Sequence, residues 1–467
     1  MQTLTQETLL RICCRFGEGR QTLLAVAQTC RALNRRMNGY IYVTATKKDL
    51  LTLGKTSTCS QQFGGLHCAT FVQHISFHLS VTTDDITNLV RAALANVALH
   101  RSTFTVLTFE FMNSDLTLAD LFEDQLPLSF REVRTIRMCG VSASNRQDVA
   151  SHLILQMCSI HLTTLSLDLQ LASAPIDYNI LREWLATLID RSPNLETLSL
   201  RFDYNFINQS TDSLQQLLNS NKFTFTRLQI LILYDPNGLF DTSSLLKRHT
   251  VLRRLSYVSV PTPDRKVLHC IARHSLTNFT GWVVHATSLL DAKLCALRCI
   301  TLKSCMPSAI EWYEFTAALR CYNLITVLHM RDPGGYLFRH IQSLVASVPQ
   351  LQELSFVLCS HWHGWKYRNR LDIFELVLSE LVHLRFFVAM INGDDERLAL
   401  AFSNAIAARE TNDELEEVRI YSTLADFNLD PPPLIVEWYK EGIVHRRPDI
   451  YKSEYMSLLR CYASRTV

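Results

Sequence analysis

Leu162-Thr-Thr-Leu165-Ser-Leu167, Leu195-Glu-Thr-Leu198-Ser-Leu200 and Leu228-Gln-Ile-Leu231-Ile-Leu233 are three copies of one pattern, and each begins 33 residues after the one before. In an extended chain the second and third apolar slots fall on one face, with a small or variable side chain between them on the other. The pattern therefore predicts a short strand buried on one side, repeated at a fixed phase. Allowing any large apolar residue extends it outward to Val72/Ile75/Phe77, Phe104/Leu107/Phe109, Val133/Ile136/Met138, Leu252/Leu255/Tyr257, Leu297/Ile300/Leu302, Leu351/Leu354/Phe356, Leu384/Phe387/Ala389 and Leu415/Val418/Ile420. Two poorer copies begin at Leu276 and Ile325, giving 13 starts between Val72 and Leu415 with a mean step near 29 residues.

Windows of helical spacing separate these strands: Asp84 to His100, Asp148 to Cys158, Ile180 to Ile189, Arg265 to His274, Ile310 to Leu319, Phe338 to Val348, Ile373 to Leu381 and Leu398 to Arg409. A doubly wound enzyme also alternates strand and helix, but its strands are continuous apolar runs and its first turn is rich in glycine. Here the three-slot pattern persists and only 14 glycines are present. One strand–helix unit cannot bury its own apolar face, so units stack and share an elongated core. This is the spacing of leucine-rich repeats. The expected fold is α/β, a leucine-rich-repeat solenoid of horseshoe form over 51–423, with a small all-α unit over 1–50 and a capping segment over 424–467. Within the cap, Leu434 to Glu441 is expected to be helical. Cys305, Cys359, Asn392 and Thr423, three positions after a third slot, are expected to bond backbone at the strand's end.

The chain has 467 residues, with 46 Lys plus Arg against 44 Asp plus Glu, a net charge of +2, 19% charged and 48% hydrophobic residues. That composition excludes a disordered chain and a polyelectrolyte. It supplies no overall attraction for nucleic acid or anionic lipid, so neither is an expected partner. No stretch has the 18 or more consecutive apolar residues of a membrane span, and Glu7, Arg11, Arg15 and Glu18 interrupt any leader-like block at the start. The 14 cysteines mostly occupy apolar positions, such as Cys30, Cys158, Cys299 and Cys359, which fits a reducing cytoplasm or nucleus.

The first fifty residues leave the period and show three amphipathic helical windows, Gln6 to Cys14, Arg20 to Cys30 and Arg31 to Tyr40. Such a unit is too small to be stable alone and must pack on the first repeat or on a partner. Leu4-Thr-Gln-Glu7-Thr-Leu9-Leu-Arg-Ile12, then Leu23-Leu24-Ala-Val26-Ala-Gln-Thr-Cys30-Arg31-Ala-Leu33 and Tyr40-Ile-Tyr-Val43, resembles an F-box motif. Thr5 stands where that family usually has proline. An F-box ahead of leucine-rich repeats is a familiar family arrangement. The resemblance implies docking on a Skp-type adaptor and its cullin scaffold, through Leu4, Glu7, Leu9, Ile12, Leu24, Val26, Cys30 and Leu33. The same helical spacing would also serve a plain cap over the first repeat.

The chain carries no phosphate-binding glycine loop, zinc-protease helix or nucleophile elbow. Gly17-Glu-Gly19-Arg20 reads as a turn between helices. Cys295, Cys299 and Cys305 lack paired ligand spacing, and His361 and His363 beside Cys359 read as a solvated loop, so neither metal nor cofactor is expected. What remains is surface. Between and just after the buried slots, register places Ser166 and Asp168, Ser199 and Arg201, Ile232 and Tyr234, Ser256 and Val258, Thr280 and Trp282, Thr301 and Lys303, His329 and Arg331, Val388 and Met390, and Arg419 and Tyr421 in one column. The loop His361-Trp362-His-Gly-Trp365-Lys-Tyr367-Arg368-Asn-Arg370 concentrates aromatic and basic side chains of the kind enriched at interfaces. Arg201, Tyr234, Trp282, Lys303, Arg331, Trp362, Trp365 and Arg368 are thus the candidate contacts for an unknown substrate protein. The expected function is non-catalytic: substrate recognition within a cullin-RING ubiquitin ligase, or an interaction scaffold without ligase association.

Overall fold

The computed structural model describes residues 44–46, 49–54, 68–79, 84–100, 105–111, 133–139, 158–168, 178–202, 212–235, 238, 240–259, 275–292, 296–303, 307–331, 337–357, 368–391, 404, 414–422 and 434–439. They fall in two compact units, Met1–Leu252 and Arg253–Val467.

In the first unit the strands are β1 (Thr44–Thr46), β2 (His74–Leu79), β3 (Val106–Phe111), β4 (Thr135–Cys139), β5 (Thr164–Asp168), β6 (Thr197–Arg201) and β7 (Ile230–Asp235). Each lies parallel to the next in chain order, in unbroken register. Helices return the chain between strands: α1 (Leu50–Leu53), α2 (Asp84–His100), α3 (Tyr178–Arg191), α4 (Asp212–Asn219) and α5 (Ser243–Arg248). The second unit repeats the scheme with β8 (Arg254–Ser259), β9 (Asn278–Gly281), β10 (Cys299–Leu302), β11 (Val327–Arg331), β12 (Glu353–Val357), β13 (Phe386–Ile391) and β14 (Glu417–Ser422), again parallel and in order. Its helices are α6 (Val283–Ala292), α7 (Ala309–Arg320), α8 (Leu337–Val345) and α9 (Arg368–Glu380). The architecture of each unit is a mixed α/β stack of strand–helix repeats, each strand pairing within its unit with its sequence neighbours.

The apolar slots are the core. Val72, Leu162, Leu195, Leu198, Leu228, Leu231, Ile300, Leu328, Leu354, Phe387 and Val418 are all buried, and so is every other slot whose burial is described, including those of the two poor copies. From the helices Val90, Leu94 and Val97 of α2, Leu185 and Leu188 of α3, Phe315 and Leu319 of α7 and Phe374 and Val377 of α9 close the same layer. At roughly 1.5–3 kcal/mol per buried side chain, the three slots of each repeat supply most of the stacking energy.

A second device fixes the phase. Within each unit the carbonyl just after a first slot accepts two N–H groups from the next repeat: Thr163 from Glu196 and Thr197 at 2.8 and 2.9 Å, Glu196 from Gln229 and Ile230 at 2.8 and 3.0 Å, and Arg298 from Thr326 and Val327 at 3.0 Å each. Side chains add further clasps between successive repeats. Gln215 exchanges two 2.8 Å hydrogen bonds with the Asp241 backbone. In the second unit the Tyr322 hydroxyl accepts the Leu297 N–H at 2.9 Å, and Arg385 is paired with Glu416. Ser308 and Glu311 form a reciprocal capping box at the start of α7.

Three expectations need correction. The range 1–50 is not all-α, because Thr44–Thr46 is a strand that pairs with β2. The segment after Pro433 is not helical: Leu434–Tyr439 forms β15, antiparallel to β14. The run Leu-Ile-Val-Glu-Trp-Tyr is β-branched and aromatic, and β14 offers it an unpaired edge that outweighs its helix propensity. Cys299 is half-buried at the start of β10, on the face opposite the slots, rather than in an apolar slot. The helical windows at 265–274, and all but the ends or single residues of those at 148–158 and 398–409, lie outside the described residues, as do Cys305, Cys359, Asn392 and Thr423. Among the described residues, no helix is long and apolar enough to cross a membrane.

Candidate functional site

Burying every second residue against the helices leaves the alternate residues on the other side of each sheet, and this slot-free face carries the candidate contacts. In the first unit β5 presents Thr164, Ser166 and Asp168, β6 presents Thr197, Ser199 and Arg201, and β7 presents Ile230, Ile232 and Tyr234. Arg201 donates to the Asp168 carboxylate across the register at 3.3 Å, so the two charges neutralise each other. Tyr234 is half-buried beside Arg201, and its carbonyl accepts the Phe202 N–H at 2.8 Å. Register therefore brings Arg201 and Tyr234 together.

In the second unit Trp282 and Lys303 meet at neighbouring strand ends, where the Lys303 N–H donates to the Gly281 carbonyl at 2.8 Å. Trp282 precedes α6, and its half-buried indole lies parallel to the His285 ring at 5.8 Å, while Tyr257 tilts against the same imidazole at 4.9 Å. His285 is buried and its Nδ1 has no hydrogen-bond partner. Desolvation pulls its pKa down from 6.5 to about 4, so the imidazole is neutral at pH 7.

That shift has a signed consequence. His285 titrates near 6.5 when unfolded and about 4 when folded, so its stabilising share is fully present above pH 6.5 and is lost as pH falls toward 4. The full loss is about 3 kcal/mol. His249 is lowered as well, by burial first, and adds to the same acid loss. It bridges two segments, with Nδ1 facing the Leu245 carbonyl at 2.8 Å and Nε2 accepting the Phe225 N–H at 3.0 Å. We expect His285→Phe to flatten the stability–pH curve between pH 6.5 and 4 in part, leaving the His249 share. Urea midpoints at five pH values measure it, and an unchanged slope would refute the neutral buried assignment.

One cluster escaped the sequence reading. His329 on β11 faces Ser355 on β12 in register; its Nδ1 shares a hydrogen bond with Ser355 Oγ at 2.6 Å, and its Nε2 lies 3.7 Å from Glu353 Oε1. His329 had a place in the column, but the repeat beginning at Leu351 was not carried onto that face, although its spacing puts Ser355 opposite His329. A serine, an imidazole and a carboxylate invite comparison with a hydrolytic triad. The catalytic reading is weak here, because β11 and β12 are paired on both sides and their N–H groups are committed to the sheet rather than to an oxyanion. The cluster is better suited to hold a polar contact in place.

The remaining candidates divide by what the structure describes. Arg331 ends β11 and Arg368 begins α9, which fixes their backbone positions. Trp362 and Trp365 lie outside the described residues, as do Leu4, Glu7, Leu9, Ile12, Leu24, Val26, Cys30 and Leu33. Cys158 is buried, and burial pushes its thiol pKa up to about 12, which removes it as a nucleophile. Among the described residues no group of three or more His, Cys, Asp or Glu side chains is placed to hold a metal ion. Compared with known proteins, the chain matches no protein-family model and no curated protein.

Proposed function

We propose that this chain is a substrate-recognition subunit of a cullin-RING ubiquitin ligase, an F-box protein with leucine-rich repeats. The observation that carries the reading is the repeat itself: within each unit, parallel strands in chain order whose described apolar slots are buried, behind an N-terminal segment that resembles an F-box. Each unit presents a slot-free sheet face, and catalysis falls to partners. The mechanism is positional, since holding the adaptor at one end and the substrate along the repeats raises the substrate's effective concentration at the transferring enzyme.

The test is a titration of the full chain against a Skp-type adaptor, with a Leu9→Asp, Ile12→Asp double variant as control. Submicromolar binding, abolished by at least a hundredfold in the double variant, is expected. No binding at tens of micromolar would favour the second reading, an interaction scaffold without ligase association. Thr5, standing where the family usually has proline, is the observation on that side.

A further inference from the structure

Across β4 to β7 the register places Arg137, Ser166, Ser199 and Ile232 in one row, running long, short, short, long. The row on one side is Thr135, Thr164, Thr197 and Ile230, and on the other Asp168, Arg201 and Tyr234 follow one another. Short hydroxyl side chains thus form a floor two strands wide. Ile230, Ile232 and Tyr234 make an aliphatic and aromatic wall on β7, and exposed Arg137 stands on the far side. With strands about 4.8 Å apart, the walls are separated by roughly 14 Å, enough for a polypeptide segment lying along the strands above the floor, where Ser199 is already buried by its neighbours and Thr164, Ser166 and Thr197 are half-buried.

We infer that this trough is a docking site for a short, largely uncharged segment of a protein partner, whose aliphatic or aromatic side chains pack against Ile230, Ile232 and Tyr234. Charge decides the occupant. Asp168 and Arg201 neutralise each other at 3.3 Å and close the carboxyl end of the trough. By sequence, Arg137 is the one further cation among the slot-free positions of these four strands, too few for a nucleic acid or a polyacidic segment. Three large apolar residues on the slot-free side of one strand are the opposite of the polar residues that a merely solvated sheet face carries. The interior strands are paired on both sides, so the segment adds no strand and is read by side chains alone.

The inference rests on the reading of the slot-free face as the recognition surface. Its test is selection of a displayed library of random 12-residue peptides against the full chain, followed by titration of the enriched peptides against the parent, Ile232→Thr and Ile230→Thr. Both replacements keep a β-branched residue on the strand, and melting curves verify folding. The expected result is peptides rich in aliphatic and aromatic residues with at most one charge, losing at least tenfold in affinity with either variant. Highly charged peptides that are still lost with the variants would overturn the chemistry and keep the face. Peptides insensitive to both variants would overturn the face reading as well. Absence of enrichment would overturn the docking site.

Discussion

Leu198→Ala is expected to destabilise the first unit by about 2–5 kcal/mol, the range for emptying a fully packed leucine site. Leu198 is 0% exposed, and its register neighbours Leu165 and Leu231 are equally buried on the strands to either side. The loss has nowhere to relax, because the phase of β6 is fixed on both sides by backbone N–H groups that donate to the Thr163 and Glu196 carbonyls. Collapse into the cavity would require breaking those rungs. With a urea m-value of roughly 1–3 kcal/mol/M, the unfolding midpoint of this unit should fall by about 1 M or more. Hydrogen exchange at β5 to β7 amides reads the unit separately, which matters in a chain of two units where one global transition is not assured. Ser166→Ala, on the opposite side of the sheet, should shift stability by no more than about 0.5 kcal/mol. Equal effects at both positions would mean that the slot assignment has the sheet inside out.

That contrast also marks which features could be read without coordinates. The slots were legible because burial on one side of a strand imposes a period of two, and stacking imposes a second period of about 29 residues, so a single misread residue cannot shift the whole register. α2, α3, α7, α8 and α9 were legible from their apolar stripes. α6 was missed for a physical reason: His285, Thr287 and Ser288 are polar yet buried alongside Val283, Ala286, Leu289 and Leu290, so the sequence does not divide into an apolar stripe and a polar side. β15 was misread because its pairing is decided by the edge of β14, a partner that local sequence does not reveal. On the candidate face, spacing puts Arg201 beside Tyr234, whereas the Asp168–Arg201 pair, the His329–Ser355 bond and the His285 stack depend on side-chain rotamers. Trp282 shows the limit most clearly. Spacing puts it one residue past the end of β9, but its stacking on His285 depends on α6 starting immediately after it.

Gly281 ends β9 where most other repeats carry a large apolar residue, and Gly281→Ala is expected to cost about 3 kcal/mol, the upper end for overpacking a core. A Cβ at that position would lie 2.5 Å from the Tyr257 carbonyl oxygen and 2.5 Å from Cζ of Phe279. The two contacts differ in consequence. Phe279, two residues earlier and fully buried, fills the volume a third-slot side chain would take, and its ring could rotate slightly. The Tyr257 oxygen belongs to β8, which pairs with β9 through Gly281 itself, so it can retreat only if the strands separate. Separation would strain the 2.8 Å bond from Lys303 to the Gly281 carbonyl and tilt Trp282 off His285. Phe279→Leu added to Gly281→Ala should therefore recover only part of the loss, because it relieves the ring contact and leaves the backbone one. Urea unfolding measures the stability change, and the emission of Trp282, compared with that of a Trp282→Phe control, follows the stack. Full recovery in the double variant would show that the aromatic ring, and not the strand backbone, makes glycine necessary here.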